Sequence, residues 1–92
     1  MKRAVRIIVS GTVQGVFFRQ FCKEKADGLG LRGFVRNLTN GDVEIIIEGE
    51  EKAIKEMVEI CRVGPRHSLI RDVQIEERKY SDDFKDFKAL RM

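Results

Sequence analysis

The chain has 92 residues, a length that suits a single domain over residues 1–92 with its own hydrophobic core. Apolar residues make up 42% and charged residues 36%, which excludes a disordered chain, and no apolar run approaches the roughly 20 residues that span a membrane. The net charge of +3 favours an anionic ligand, but interleaved acids exclude the basic cluster of a nucleic-acid-binding protein. Cys22 and Cys61 are too few for a disulfide scaffold, which indicates a reducing, cytoplasmic location.

The first half of the chain predicts a strand, a helix and a hairpin. Val5, Ile7 and Val9 alternate with other residues in the period-2 pattern of a half-buried strand. After the loop that follows, apolar residues recur at helical spacing and glycines end the helix. This helical stripe consists of Phe18, Cys22, Ala26 and Leu29. A second strand is predicted over residues 31–38, and Asn40-Gly41 turns the chain into a third strand. The third strand carries Val43, Ile45 and Ile47 on one face.

The second half predicts another helix and one or two strands. Residues 50–62 form an amphipathic helix that Gly64-Pro65 ends. Its apolar stripe consists of Ile54, Met57, Val58 and Cys61. A fourth strand over residues 69–78 is expected to carry Val73 and Ile75 inward, and the tail is expected to add a short edge strand. The order β-α-β-β-α-β predicts a ferredoxin-like α+β sandwich, in which two helices cover one face of a four- or five-stranded antiparallel sheet.

Several motifs match a known pattern but lie in the wrong context. Residues 28–33 read G-x-G-x-x-G, yet they end a helix and begin a strand, whereas a dinucleotide site needs the opposite order. Arg32-Gly33-Phe34 begins like an RNA-recognition signature, but the aromatic spacing that stacks bases does not continue. His67 is the only histidine, and no cluster of ligand residues surrounds it in the sequence. We therefore expect no nucleic acid, no metal and no nucleotide cofactor.

The stretch GTVQGVFFR, residues 11–19, joins the first strand to the first helix. Successive backbone N–H groups at a helix N-terminus form a natural anion site, and Gly15 permits close approach to a ligand. Arg19 can donate two hydrogen bonds to one phosphoryl group. No Gly-Lys-Ser/Thr follows, so a nucleoside triphosphate with magnesium is not expected. From spacing alone, an anion cradle and an ordinary turn with a cation at the helix start both remain open.

A second informative stretch is GFVRNLTNGDVE, residues 33–44. Gly33, Val35 and Asn37 alternate onto one face of the second strand, and Asn37 lies near its end. In the predicted hairpin, Asn37 is expected across from the mouth of the anion loop. Taken alone, an asparagine just before Asn-Gly is as well explained by turn chemistry.

Together, VQGVFFR at residues 13–19 and GFVRN at residues 33–37 closely resemble the acylphosphatases, and the resemblance extends over essentially the whole chain. It implies a monomeric cytoplasmic hydrolase that converts a small acyl phosphate to a carboxylate and inorganic phosphate without cofactor, metal or membrane. It also implies that Arg19 and the loop amides hold the phosphoryl group while Asn37 orients the attacking water. Those amides belong to Gln14, Gly15, Val16, Phe17 and Phe18. The Gly64-Pro65 loop is present but continues as Arg66-His67-Ser68, which is expected to alter access to the site.

An acyl phosphate is a suitable substrate for a site without a general acid, because its leaving group is a carboxylate that departs without protonation. Two other functions remain open at this stage. One is a module of the same fold that binds carbamoyl phosphate or another anion without turnover, as in larger carbamoyl-transfer proteins. The other is a ferredoxin-like RNA-binding or interaction module, which should display exposed aromatics on its sheet.

Overall fold

Seven elements follow one another in the computed structural model, which describes residues 1–91. They are β1 (Lys2–Thr12), α1 (Phe18–Gly28), β2 (Arg32–Asn37), β3 (Val43–Glu50), α2 (Glu51–Val63), β4 (Leu69–Arg78) and β5 (Phe87–Ala89). The strands form one sheet in the order β4-β1-β3-β2-β5. The ferredoxin-like arrangement predicted from the sequence is confirmed, and the tail does add a fifth strand.

The sheet is mixed, so the expectation of a wholly antiparallel sheet is corrected at one edge. β1 pairs antiparallel with β3 and β4, and β3 pairs antiparallel with β2, whereas β5 pairs parallel with β2. The chain leaves β4 beside Ala4, at the end of the sheet where β1 begins and where β2 also begins. β5 therefore starts at the same end of the sheet as β2, and the two strands run in the same direction along the free edge of β2.

The core lies between the helices and one face of the sheet. The predicted strand positions on this face are fully buried: Val5, Ile7, Val9, Val43, Ile45 and Ile47. Both helical stripes are also buried, except for the half-buried Leu29 at the end of α1. Cys22 on α1 and Cys61 on α2 are free thiols within this core, and the neighbouring Cys61 together with burial raises the pKa of Cys22. They pack as small apolar residues, as the sequence predicted.

β4 departs from the predicted burial pattern. Its residues Val73 and Ile75 pair with the buried Val9 and Ile7, so they occupy the face that carries the helices. Val73 packs against the core, but Ile75 remains 37% exposed. The prediction that Ile75 is buried is wrong because β4 is an edge strand, where coverage of the sheet is incomplete.

The opposite face of the sheet contains two buried carboxylates that the sequence did not reveal. Glu44 on β3 accepts hydrogen bonds from Arg6 Nε at 2.6 Å and Arg36 Nε at 2.5 Å. Burial by itself raises the pKa of Glu44, but these bonds outweigh it and leave the pKa below its usual range. Glu48, farther along β3, accepts bonds from the loop before β5, including Ser81 N at 3.0 Å. The two glutamates therefore attach flanking strands and the tail to the central strand.

Candidate active site

Three segments of the chain meet at the end of the sheet where β1, β2 and β5 terminate. They enclose an open cavity of about 440 Å³, within the size range of small-molecule sites. The lining residues are Val13, Gly15, Phe17, Phe18, Arg19, Gln20, Asn37, Ala89 and Arg91. The motif residues Arg19 and Asn37, which are distant in sequence, thus share one cavity.

The loop before α1 has an unusual backbone conformation. Gly15 has φ 76° and Phe17 has φ 59° with ψ 28°, so both lie in the left-handed region. This region costs little for glycine but about 1–2 kcal/mol for a residue with a side chain. The Phe17 side chain is 85% exposed, so packing does little to offset that strain. Left-handed residues in a tight loop turn neighbouring amides toward one point, which is the geometry of an anion-binding nest.

The amides of this loop are available to a ligand. Among residues 1–91, no backbone hydrogen bond uses the N–H groups of residues 15–19, and the first bond of α1 runs from Phe21 N to Phe17 O. Phe17 is the N-cap of α1 and no side chain caps the helix. Unsatisfied N–H groups and the positive end of the helix dipole therefore coincide beside the cavity. This combination stabilises a bound anion.

Arg19 extends from the first turn of α1 and is half-buried. Its Nη1 donates a hydrogen bond of 2.5 Å to the carbonyl oxygen of Leu90, just after β5. This bond fixes one branch of the guanidinium against the tail. Since the guanidinium has five N–H donors, the remaining ones are available to a ligand in the cavity.

Asn37 lies at the last position of β2, half-buried and directly opposite Val43. Val43 also pairs with Val9 near the end of β1, so Asn37 is one strand removed from the strand that leads into the loop. The Asn37 side chain makes no hydrogen bond with other groups in residues 1–91. Its amide can therefore bind a water molecule or a ligand in the cavity.

Gln14 and Val16 do not line the cavity. Nε2 of Gln14 donates to the carbonyl oxygens of Leu38 at 2.8 Å and Asp42 at 2.9 Å, on both sides of the β2–β3 turn. Val16 packs against the hydrophobic core. Both side chains fix the loop in place, Gln14 to the hairpin that carries Asn37 and Val16 to the core.

Comparison with known proteins identifies the family. The sequence matches the family described as Acylphosphatase over residues 5–89. An acylphosphatase of Rubrobacter xylanophilus is 45% identical over 87 residues, which cover 95% of this chain and 79% of that protein. The crystal structure of an acylphosphatase from Bacillus subtilis superposes with a TM-score of 0.93 at 37% identity, covering 99% of this chain and 100% of that chain.

The chain belongs to the acylphosphatase family. Family membership supports the hydrolysis of acyl phosphates as its activity. The chain is also similar to part of HypF, whose full-length crystal structure is in a phosphate- and nucleotide-bound form, with a TM-score of 0.85 and 32% identity. That match covers 98% of this chain but 12% of HypF, so acylphosphatase-like domains also occur within longer proteins.

The sequence did not indicate that the tail contributes to the site. Ala89 and Arg91 line the cavity, and the carbonyl of Leu90 binds Arg19. The available signal was the set of apolar residues near the end of the chain, which predicted a short edge strand but neither its direction nor its neighbour. These residues are Phe84, Phe87, Ala89 and Leu90. Parallel pairing with β2 brings this segment to the cavity that Arg19 and Asn37 line.

Residues 1–91 contain neither a cluster of metal ligands nor a helix that could cross a membrane. Within residues 1–91, no group of three or more His, Cys, Asp or Glu side chains is arranged to hold a metal ion. No helix in that part of the chain combines the length and apolar character needed to cross a bilayer.

Proposed function

We propose that this acylphosphatase cleaves the bond between the acyl oxygen and phosphorus at the cavity beside residues 14–19. One observation carries the proposal: Gly15, Phe17, Phe18, Arg19 and Asn37 line one cavity. Within residues 1–91, the loop amides and the Asn37 side chain make no competing hydrogen bond, and Arg19 bonds only to Leu90. An acyl phosphate presents a compact dianion to such a site. We further propose a metal-independent, cytoplasmic monomer, supported by two buried free thiols that suit a reducing compartment.

The phosphoryl group binds first to the helix N-terminus. The amides of the loop donate to its equatorial oxygens, and the free branch of Arg19 donates to one or two of them. These donors are already oriented before the substrate arrives, because the loop is fixed by Gln14 and the guanidinium by Leu90. Such preorganised donors stabilise the charge that spreads over the phosphoryl oxygens in the transition state.

Asn37 positions the attacking water. Its amide is not basic at neutral pH, so it orients the water without removing the proton. The water oxygen bonds to phosphorus as the bond from phosphorus to the acyl oxygen breaks, and that electron pair leaves on the carboxylate. The proton of the water passes to a phosphoryl oxygen of the substrate, which gives inorganic phosphate.

The mechanism restricts the substrate to an activated phosphate. A carboxylate leaves readily because a carboxylic acid has a pKa of about 4 to 5, whereas an alkoxide needs protonation as it leaves. Among residues 1–91, no acid or histidine lines the cavity to protonate it. We therefore expect hydrolysis of acyl phosphates and poor hydrolysis of alkyl phosphate monoesters.

The proposal is tested by phosphate release from benzoyl phosphate in the presence of EDTA. The wild-type protein is expected to turn over rapidly, and Arg19→Ala is expected to lose about 100-fold or more in kcat/KM. Arg78→Ala is a matched control, because Arg78 pairs with Ala4 at the opposite end of the sheet. Turnover that needs an added metal ion, or an equal loss in both variants, would contradict the proposal.

We also consider a second candidate, an anion-binding module without turnover, because the chain is similar to part of HypF, whose structure is in a phosphate- and nucleotide-bound form. The same assay separates the two functions when it is combined with thermal unfolding. Under the second candidate, benzoyl phosphate is not hydrolysed, yet inorganic phosphate or carbamoyl phosphate raises the Tm of the wild-type protein more than that of Arg19→Ala.

A further inference from the structure

A second arginine, Arg91, lines the cavity, and the proposed hydrolysis does not use it. Arg91 lines the same cavity as Arg19, and within residues 1–91 no Asp or Glu lines it. A cavity of about 440 Å³ also exceeds what a phosphoryl group fills, so its outer part is available to the acyl group.

The two arginines differ in their surroundings. Arg19 is half-buried on α1 and hydrogen-bonded to the tail, whereas Arg91 is exposed. The backbone before Arg91 is fixed, because Leu90 N donates to Val35 O at 2.8 Å and Leu90 O accepts from Arg19. Arg91 makes no ion pair with any acid in residues 1–91. The fold therefore fixes the backbone before Arg91, and the acids of residues 1–91 leave the Arg91 guanidinium unpaired.

The side chains that line the cavity differ in exposure, which distinguishes an outer wall of exposed side chains from a buried base. Phe17 and Arg91 belong to this wall, whereas Val13 and Phe18 are buried at its base. A phosphoryl group bound by the amides of residues 15–19 occupies the inner part. The acyl group then extends toward the wall that carries Phe17 and Arg91.

We infer that Arg91 forms an acyl-group subsite that favours acyl phosphates carrying a carboxylate on the acyl group. This inference rests on the proposed function, since it assumes that the phosphoryl group occupies the loop. A guanidinium binds a carboxylate through two parallel hydrogen bonds, which gives it both affinity and orientation. The preferred substrate class is therefore the monophosphate of a dicarboxylic acid.

Binding of two non-hydrolysable analogues tests the inference without turnover. 4-Carboxybenzoylphosphonate and 4-carbamoylbenzoylphosphonate have nearly the same size and differ by one negative charge. By calorimetry at low ionic strength, the wild-type protein is expected to bind the carboxylate about two- to fivefold more tightly, as for an exposed ion pair. Arg91→Gln is expected to remove this preference, and Arg78→Gln, with the same charge change at the far end of the sheet, is expected to keep it.

An unchanged preference in Arg91→Gln overturns the subsite. So does an equal loss of affinity for both analogues and for inorganic phosphate, which would assign Arg91 to the phosphoryl group instead. Circular dichroism of Arg91→Gln verifies that the variant is folded. A wild-type protein that binds the phosphonates but fails to hydrolyse benzoyl phosphate would refute the proposed function, while the two Kd values would still decide the role of Arg91.

Discussion

Arg19 Nη1 donates a hydrogen bond of 2.5 Å to the backbone carbonyl of Leu90. The N–H of Leu90 donates in turn to the carbonyl of Val35 at 2.8 Å, and Val35 lies two residues before Asn37 on the same face of β2. The tail therefore connects the arginine on α1 with the strand that carries the asparagine. The relative position of the two motif residues depends on a segment that belongs to neither motif.

Asn37→Ala is expected to lower kcat for benzoyl phosphate by about 100-fold, because the proposed mechanism uses the Asn37 amide at the chemical step. The Kd for inorganic phosphate is expected to change by less than about twofold, because the amides and Arg19 remain. Asn40→Ala in the same hairpin is the control, since the Asn40 side chain bonds only Asp42 within residues 1–91. A normal kcat for Asn37→Ala would remove Asn37 from the mechanism.

Lys23 lies one helical turn after Arg19, and its Nζ donates to the carbonyl oxygen of Phe87 at 3.0 Å. Lys23→Met removes this hydrogen bond between α1 and β5. The carbonyl of Leu90, which follows β5 and accepts the bond from Arg19, is then less firmly held. We expect kcat/KM to fall about fivefold, the equivalent of about 1 kcal/mol, and Lys23→Arg to restore most of it. Lys25→Met is the matched control, because it removes the same charge from the same helix. The Lys25 ammonium lies over the Phe21 ring and does not bond to β5. Equal activity of Lys23→Met and Lys25→Met would contradict a role for the tail.

Gly15 has φ 76°, and a Cβ added there would meet no atom within 4 Å. Gly15→Ala therefore isolates the cost of the left-handed backbone, about 1 kcal/mol in the free energy of unfolding. Because relief of that strain turns the loop amides away, phosphate binding is expected to weaken as well. Gly28 also has open space around it but no positive φ and ends α1, so Gly28→Ala is expected to stabilise the protein by about 0.5 kcal/mol. Urea unfolding measures whether the free energy of unfolding falls for Gly15→Ala and rises for Gly28→Ala. A change of the same sign in both variants would contradict the role of the left-handed backbone at Gly15.

Glu44 is expected to make the stability of the fold sensitive to acid. Its pKa is lowered from the ordinary value of 4.5, so the ion pairs with Arg6 and Arg36 stabilise the protein above that pH. Their contribution is lost as the pH falls through the lowered pKa. At pH 7, Glu44→Gln is expected to reduce the free energy of unfolding by about 1–3 kcal/mol.

The difference in the free energy of unfolding between the wild-type protein and Glu44→Gln is expected to become smaller below pH 4.5. The control is Glu56→Gln, since Glu56 is exposed on α2 and forms no ion pair within residues 1–91. Thermal unfolding across this pH range measures the effect. A difference that stays constant with pH would show that the charge of Glu44 is not the source of its contribution.

The spacing of apolar residues predicted most of the strands and helices, because it shows which face of each element is buried. Alternation at Val5, Ile7 and Val9 and the Asn40-Gly41 turn correctly predicted strands and hairpin. The same reasoning wrongly predicted that Ile75 is buried, because the alternation of residues along a strand does not show whether that strand lies at an edge of the sheet. Glu44 was not expected to be buried, because its two arginine partners come from different strands.

The candidate site was predictable where its residues lie in short motifs, and less so where they do not. Gly15 and Arg19 are close in sequence, so their common position at a helix start followed from local geometry. Asn37 needed the hairpin register to reach the same cavity. Leu90 and Arg91 came into the site through parallel pairing of a three-residue strand, which no local pattern specifies.

The most direct test of the central claim is hydrolysis of benzoyl phosphate in water enriched in heavy oxygen, with EDTA present. Attack at phosphorus places the heavy oxygen in inorganic phosphate, whereas attack at the carbonyl carbon places it in benzoate. We predict rapid turnover by the wild-type protein with the label in phosphate. Label in benzoate, or release no faster than the spontaneous reaction, would contradict a phosphoryl cradle formed by the loop of residues 14–19 and Asn37.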